Sequence, residues 1–220
     1  MGRMVLIYGK SGSGKSRSLK NFAEDEILFI NVEGKDLPFR NRFKYKMTSD
    51  NYEAIKAQLS KMPLKTAVID DAGYLMTNEF MRGHRNNRGN AVYELYNDIA
   101  DHFWGLIRHI KDALPEDVIV YMIMHEDSND FGETTLKTIG KLLDDKVNVP
   151  GMVTIALRCM SEDGKHFFLT NTDGRDITKS PEDLFESDKI DNDLKAVDTA
   201  IREYYGLTPT TQEETKNESN

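Results

Sequence analysis

Eight residues near the amino terminus, 9–16, read GKSGSGKS and fit the pattern G-x-x-x-x-G-K-[ST] in full. The apolar run at residues 4–8 predicts a buried strand before them, and a helix is expected to begin near Lys15. Glycines at this spacing let the backbone curl so that successive N–H groups point at phosphate oxygens. The positive end of the following helix faces the same anion. The motif therefore predicts a phosphate-binding loop between a strand and a helix.

Each residue of this loop is a candidate contact for a nucleoside triphosphate. The side chain of Lys15 is expected to reach the β- and γ-phosphates, and the hydroxyl of Ser16 is expected to bind Mg²⁺. The predicted nucleotide contacts are Gly9, Lys10, Ser11, Gly12, Ser13, Gly14, Lys15 and Ser16.

A second acidic motif occurs at residues 66–71, where the apolar run of a predicted strand ends in two aspartates (TAVIDD). Ligands bind at the carboxyl ends of the strands in open α/β sheets, so these carboxylates are expected to face the loop. Asp70 is the predicted partner of Mg²⁺, through a water molecule. Asp71 is a candidate either for a base or for a residue that supports the ligands of the metal from behind.

Hydrolysis of a nucleotide also needs a group that orients or deprotonates water. Glu33, which follows the predicted strand at residues 26–31, is the first candidate, and Asp71 is the second; the sequence leaves this choice open. His125 ends the predicted strand at residues 118–124, where a polar side chain is expected to sense the γ-phosphate.

The order of the predicted elements favours an α/β fold with a mainly parallel sheet flanked by helices and a late β-hairpin. Helices are predicted at residues 52–61, 90–114 and 192–205, and the hairpin at residues 152–160 and 166–170. Residues 1–206 are expected to form one domain. Residues 207–220 are polar and acidic, which predicts a disordered tail.

The composition narrows the classes of partner. A net charge of −8 argues against a polyanion wrapped over the whole surface, although the basic segments 35–46 and 82–88 permit local contacts. No segment approaches the roughly 18 apolar residues of a membrane helix. The chain starts without a secretory signal, and its one cysteine, Cys159, is expected to be a buried strand residue. A cytoplasmic protein with no membrane partner is predicted.

The loop at residues 9–16, Glu33, Asp70 and His125, in this order, resemble the RecA-like branch of P-loop ATPases from about Met4 to Thr170. The resemblance is greatest to the phage-encoded Sak group of single-strand annealing and recombination ATPases. It implies ATP with Mg²⁺ as cofactors, an extra strand between the P-loop strand and the Asp70 strand, and the cytoplasm of a phage-infected cell. It also implies a homo-oligomeric ring or filament. A histidine at the position of the usual glutamine and the short chain argue against full strand exchange.

The same resemblance implies single-stranded DNA as a partner, bound by loops at residues 78–90 and 126–150, and a single-strand-binding or replication protein as a further one. In head-to-tail assemblies a basic residue of the neighbour completes the site, for which Arg158, Lys165 and Arg175 are candidates. The candidate DNA contacts, which would neutralise phosphates or stack on bases, are Arg82, His84, Arg85, Arg88, Phe131, Lys137 and Lys141.

Two other functions use the same phosphate-binding loop. In a nucleotide kinase, the arginines of residues 82–88 would form a lid over the phosphates. In a non-enzymatic nucleotide switch, ATP would order loops that bind another protein, with the acidic tail as a contact for the partner.

Overall fold

A computed structural model describes residues 1–85, 89–129, 131–144 and 146–207, and for residues 141 and 142 it describes the backbone only. Within these residues the chain alternates between strands and helices, as the sequence predicts. The strands are β1 (Arg3–Gly9), β2 (Leu28–Asn31), β3 (Tyr45–Thr48), β4 (Thr66–Asp70), β5 (Ile119–Ser128), β6 (Thr134–Leu136), β7 (Ile155–Glu162), β8 (Lys165–Leu169) and β9 (Lys189–Asp191). The α-helices are α1 (Tyr52–Lys61), α2 (Gly73–Gly83), α3 (Ala91–Ala113), α4 (Lys141–Asp144) and α5 (Leu194–Tyr205), and Ser16–Asn21 and Pro150–Met152 form short 3-10 helices.

The described strands form one mainly parallel sheet in the order β3-β2-β4-β5-β1-β7-β8-β9, with β6 paired to β5. The pairs among β1 to β5 and the pair β1–β7 are parallel, whereas β6, β8 and β9 pair in the antiparallel direction. The order confirms both the α/β fold and the predicted extra strand, because β5 lies between β1 and β4. All three of these strands therefore direct their carboxyl ends toward the same edge.

The central strands are buried on both faces, which explains their continuous apolar sequences. In β1, Leu6 and Tyr8 contribute to one core and Val5 and Ile7 to the other. Helices α1, α2 and α3 cover the first face, while α5 and the first 3-10 helix cover the second. Since side chains alternate along a strand, one short strand supplies both cores.

Helix α3 confirms the predicted helix at residues 90–114. Its buried residues include Leu95, Ile99, Phe103 and Ile107, which recur every four residues and form one apolar stripe against the sheet. Complete burial of a side chain such as Phe103 contributes about 1.5–3 kcal/mol. The helix ends at Ala113 because the residue before Pro115 has an extended backbone.

Several predictions of local structure need correction. The helix after the phosphate-binding loop is a 3-10 helix of six residues, and the amide of Ser18 donates hydrogen bonds to the carbonyls of both Gly14 and Lys15. Strand β5 continues to Ser128 because it pairs there with β6. The sequence did not predict β3, β6 and β9, which have only three or four residues each and depend on a neighbouring strand. The late hairpin is confirmed as β7 and β8.

Helix α5 is fixed to the amino-terminal ends of the central strands by a buried ion pair. The carboxylate of Asp198 accepts a hydrogen bond from Arg202 Nε at 2.7 Å and one from the hydroxyl of Tyr121 at 2.9 Å. Arg202 also donates to the hydroxyl of Thr66 in β4 at 2.8 Å and to the carbonyl of Asp117 at 2.9 Å. The pair therefore joins α5 to β4, to β5 and to the turn that leads into β5.

The carboxyl-terminal helix ends at Gly206, which has a left-handed backbone with φ of 63°. Of the predicted tail at residues 207–220, all but Leu207 lies outside the described residues. A search of the described residues finds no helix with the length and hydrophobicity needed to cross a membrane.

Candidate functional site

The carboxyl ends of β1, β4 and β5 surround a cavity of about 300 Å³. The phosphate-binding loop forms one wall of it, and the segment after β2 forms another through Lys35, Asp36 and Pro38. The other residues that line it are Ser11, Gly12, Gly14, Lys15, Ser16, Arg17, Asp70, Asp71, His125 and His166. The fold thus brings together the two aspartates at the end of β4, the histidine of β5 and the loop after β1.

The loop has the backbone that its glycines permit. Gly12 and Gly14 have φ values of 79° and 106°, which residues other than glycine rarely adopt. A Cβ atom on Gly14 would lie 2.7 Å from Nδ1 of His166, so this position also lacks the space for a side chain. The same nitrogen lies 2.7 Å from the carbonyl oxygen of Ser13. Strand β8 therefore supports the loop from behind.

His166 is a site residue that the sequence did not reveal. Its contact at Ser13 spans 153 residues of chain, and no motif surrounds it. Cys159, which is buried as predicted, supports the same carbonyl from β7 with its thiol at 3.2 Å. Burial raises the pKa of this thiol to about 11, so it remains protonated at neutral pH.

Lys15 is a buried cation at the centre of the cavity. Its Nζ donates hydrogen bonds of 2.8 Å to the carbonyls of Gly9 and Lys10, and it forms no ion pair with a carboxylate in the described part of the chain. Burial lowers the pKa of Lys15, against the opposing effect of nearby acidic groups. A buried charge without an ion pair is costly, and an anion in the loop would relieve that cost. The site therefore fits the phosphates of a nucleotide.

Asp70 and Ser16 form a pair suited to Mg²⁺. The hydroxyl of Ser16 donates to Oδ1 of Asp70 at 3.1 Å, and both groups are oxygen ligands of the kind that Mg²⁺ prefers. Burial, together with the charge of Asp71, raises the pKa of Asp70 to about 6. A cation beside Asp70 would stabilise its ionised form, so the buried carboxylate fits a metal partner.

Asp71 lies between two cationic or polarisable groups. Its carboxylate accepts a hydrogen bond from Lys35 Nζ at 2.6 Å and lies 3.2 Å from Nε2 of His125. Burial alone would raise the pKa of Asp71, but the hydrogen bonds with His125 and Lys35 lower it to about 2. Asp71 is therefore ionised at neutral pH. Its backbone has a φ of 59°, which turns the chain from β4 into α2.

The two acids that the sequence left as alternatives lie in different environments. Asp71 lines the cavity, whereas Glu33 does not, and Oε1 of Glu33 accepts a hydrogen bond from the amide of Asn78 in α2 at 2.9 Å. Nδ1 of His125 lies 3.5 Å from Nζ of Lys15. A continuous set of polar contacts thus connects Lys15, His125, Asp71 and Lys35.

Comparison with known protein families agrees with the nucleotide site that this geometry indicates. The family model described as an AAA domain matches residues 1–187, which include the whole loop, both aspartates, His125 and His166. The chain belongs to this AAA domain family of P-loop nucleoside triphosphatases. A search of curated proteins found no match.

In this AAA domain, residues 78–83 of the first predicted DNA loop belong to α2, so the prediction of a loop from residue 78 is wrong. Helix α2 extends to Gly83 because Leu75, Met76 and Phe80 pack at helical spacing against the core. Arg82, within the helix, forms an ion pair with Asp50.

The remaining candidates of that first segment differ in exposure. The ring of His84 stacks on Phe80 at 5.4 Å and lies 3.1 Å from the carbonyl of Met81, so it is engaged by its own helix. Arg85 is exposed, and Arg88 lies outside the described residues. Of the three arginines predicted to bind DNA, Arg85 is therefore the one that is exposed and forms no ion pair with the residues that the structure describes.

The second predicted DNA segment of the AAA domain contains the β5–β6 hairpin and α4. Phe131 at the hairpin turn is 89% exposed, and the side chain of Asn129 shapes this turn by accepting from the amides of Phe131 and Glu133. Lys137 lines a cleft beside the nucleotide cavity, as does Lys10 of the phosphate-binding loop. The side chain of Lys141 lies outside the described structure.

The three basic residues considered for completing a neighbour's site differ in their ion pairs and in their exposure. Arg158 donates to Glu126 at 2.9 and 3.0 Å and to Asp176 at 3.2 Å, so its charge is neutralised within its own chain. Lys165 and Arg175 are exposed. Lys165 and Arg175 of this AAA domain therefore remain candidates for the cation that completes a neighbour's site, and Arg158 does not.

Proposed function

We propose that this protein binds ATP with Mg²⁺ and hydrolyses it. The observation that carries this proposal is the convergence of Lys15, Asp70, Asp71 and His125 on one cavity next to the phosphate-binding loop. Lys15 and the loop amides would hold the phosphates, and Ser16 and Asp70 would hold the metal. Mg²⁺, when bound, supplies positive charge that stabilises the charge developing on the phosphate oxygens.

Asp71 is the proposed residue that orients the attacking water. With a pKa of about 2, its carboxylate accepts hydrogen bonds well but is a weak base at neutral pH. Lys35 and His125 hold the carboxylate from two sides, so its orientation is fixed before a nucleotide enters. This pre-organisation supports a positioning role for Asp71 in preference to Glu33.

We further propose that the nucleotide site controls binding of single-stranded DNA, as the resemblance to the Sak group of phage recombination ATPases implies. His125, which lies 3.5 Å from Lys15 Nζ, belongs to the same strand that continues to Ser128 and enters the turn with Phe131. An exposed aromatic ring can stack on a base of any identity. Strand β5 would thus connect the state of the phosphates to the DNA contact.

Assembly into a homo-oligomer forms part of this proposal. His166 of the β7–β8 hairpin lines the cavity, its neighbour Lys165 is exposed, and Arg175 is exposed in the segment after the hairpin. Either cation of a neighbouring copy would complete the site as an arginine finger does. A single-strand-binding or replication protein in a phage-infected cell is the further partner that the family resemblance suggests.

Measurement of ATP hydrolysis with and without single-stranded DNA tests this function. We expect hydrolysis that increases when DNA is added and is abolished in Lys15→Ala. Hydrolysis at the same rate with and without DNA would support the proposed ATPase activity and contradict the proposed role of DNA. Transfer of phosphate to an added nucleoside or nucleotide, without free phosphate as product, would instead identify a kinase.

A further inference from the structure

A second cleft of about 450 Å³ adjoins the nucleotide cavity on the side of His125. The two share Ser11, Lys35 and His125 in their walls, so their contents would be neighbours. Lys10 and Lys137 complete the cationic wall of the second cleft. Its volume is that of a small-ligand site, larger than a single phosphate group requires.

The charge of this cleft is opposite to that of the chain as a whole. Three lysines line it in a protein with a net charge of −8. Glu126 is the acid in its wall, and Arg158 holds that carboxylate with two hydrogen bonds. Lys10 and Lys137 form no ion pair with any carboxylate that the structure describes. The cleft thus contains cationic charge that its own walls leave unbalanced.

The three lysines come from three separate segments of the chain. Lys10 belongs to the phosphate-binding loop, and Lys35 is tied to Asp71 at 2.6 Å. The amide of Lys137 donates to the carbonyl of His125 at 2.8 Å, which anchors the residue beside β5. Their convergence therefore depends on the fold and not on a flexible basic run.

The amino end of α2 adds to the same field. This helix of 11 residues begins at Gly73 in the wall of the cleft, has no acidic residue in its first turn and no side-chain cap. No acidic side chain of the first turn therefore opposes the partial positive charge of this helix end. Next to it, Tyr74 lies under Lys35, with Nζ 5.0 Å from the ring centre, and offers an apolar surface in the cleft.

We propose that this cleft binds the phosphate group of a second ligand while a nucleotide occupies the phosphate-binding loop. The ligand is either a phosphorylated small molecule of nucleotide size or a phosphodiester of single-stranded nucleic acid. The chemistry is the same for both, since lysines and a helix amino terminus recognise phosphate oxygens. This inference does not depend on the proposed DNA-stimulated hydrolysis.

Calorimetric titration of the full chain with inorganic pyrophosphate tests the inference. The protein is first saturated with Mg²⁺ and a non-hydrolysable ATP analogue, so that the phosphate-binding loop is already filled. We expect pyrophosphate to bind this complex, and Lys137→Ala to weaken the affinity about tenfold through loss of one charged contact. The matched control is Lys61→Ala, which removes an exposed lysine of α1 outside the cleft and is expected to bind as the parent does.

An unchanged melting temperature of Lys137→Ala would show that weaker binding is not the result of unfolding. Absence of pyrophosphate binding to the analogue-saturated protein, or equal affinity in Lys137→Ala, would overturn the inference. If pyrophosphate binds as expected, competition experiments identify which ligand supplies the phosphate group. Displacement of pyrophosphate by oligothymidylate assigns the cleft to DNA, and displacement by thymidine monophosphate alone assigns it to a small molecule.

Discussion

Nε2 of His125 lies 3.2 Å from Oδ1 of Asp71, across the ends of two strands that are direct neighbours in the sheet. The other nitrogen of the same ring lies 3.5 Å from Nζ of Lys15. One imidazole therefore connects the lysine of the phosphate-binding loop to the acid that we propose orients water. Neither contact exists within a single motif of the sequence.

The proposed role of Asp71 predicts an asymmetry between the two candidate acids. Asp71→Asn is expected to lower kcat for ATP hydrolysis by about 100-fold, because an amide binds neither water nor Lys35 as a carboxylate does. Glu33→Gln is expected to have the smaller effect, since Glu33 contacts Asn78 outside the cavity. Single-turnover hydrolysis by both variants, with analogue binding measured in parallel, makes the comparison. A larger loss in Glu33→Gln would transfer the role to Glu33.

Substitutions of two glycines in the loop are expected to differ. Gly12→Ala introduces only an unfavourable backbone at φ of 79°, at a cost of about 1–2 kcal/mol, because no atom lies within 4 Å of the new Cβ. Gly14→Ala adds a collision with His166 and should reduce both stability and nucleotide affinity further. Urea unfolding and nucleotide titration of both variants measure the difference.

The collision can be tested with a second substitution. His166→Ala in the Gly14→Ala background removes the ring that the new methyl group meets, and part of the lost stability should return. A coupling free energy of about 0.5–3 kcal/mol between the two positions is expected for residues in contact. Additive effects would show that backbone strain alone explains the loss at Gly14.

The proposed DNA contact at Phe131 predicts a loss of affinity without loss of stability. Phe131→Ala is expected to weaken binding of single-stranded DNA by about 1–3 kcal/mol, because a stacking surface is removed. Its side chain is 89% exposed, so the melting temperature should not change. Trp104→Ala is the matched control, since Trp104 is another exposed aromatic residue, on α3. Equal DNA affinities of Phe131→Ala and the parent would exclude this contact.

The buried pair in α5 predicts a large stability effect far from the nucleotide site. Asp198→Ala is expected to lower the free energy of unfolding by about 3–5 kcal/mol, because the charge of Arg202 would remain buried without the opposite charge of this carboxylate. Asp193→Ala, which removes the amino-terminal cap of the same helix, should cost only about 1 kcal/mol. Urea unfolding curves of the two variants give both values, and similar losses would contradict the proposed importance of burial.

The sequence by itself determined the features that depend on local spacing. The glycine pattern and the apolar run before it were sufficient to place β1 and the loop, because the motif and its flanking strand are contiguous. The stripe of apolar residues every three or four positions likewise placed α3, since helical periodicity is set along the chain. Apolar runs leading to Asp70 and His125 located the end of β4 and the buried part of β5 for the same reason.

Tertiary structure alone decided the contacts between distant segments. Pairing of neighbouring strands and the turn at Asp71 direct Asp71 and His125 toward each other, and the connection after β2 brings Lys35 to them. His166 reaches the loop across 153 residues, and Lys137 lines the same cleft as Lys10 because its backbone is bound to β5. Such contacts depend on strand order and register, which the periodicity of one segment does not encode. The sequence therefore identified the chemical groups, and packing selected which of them meet.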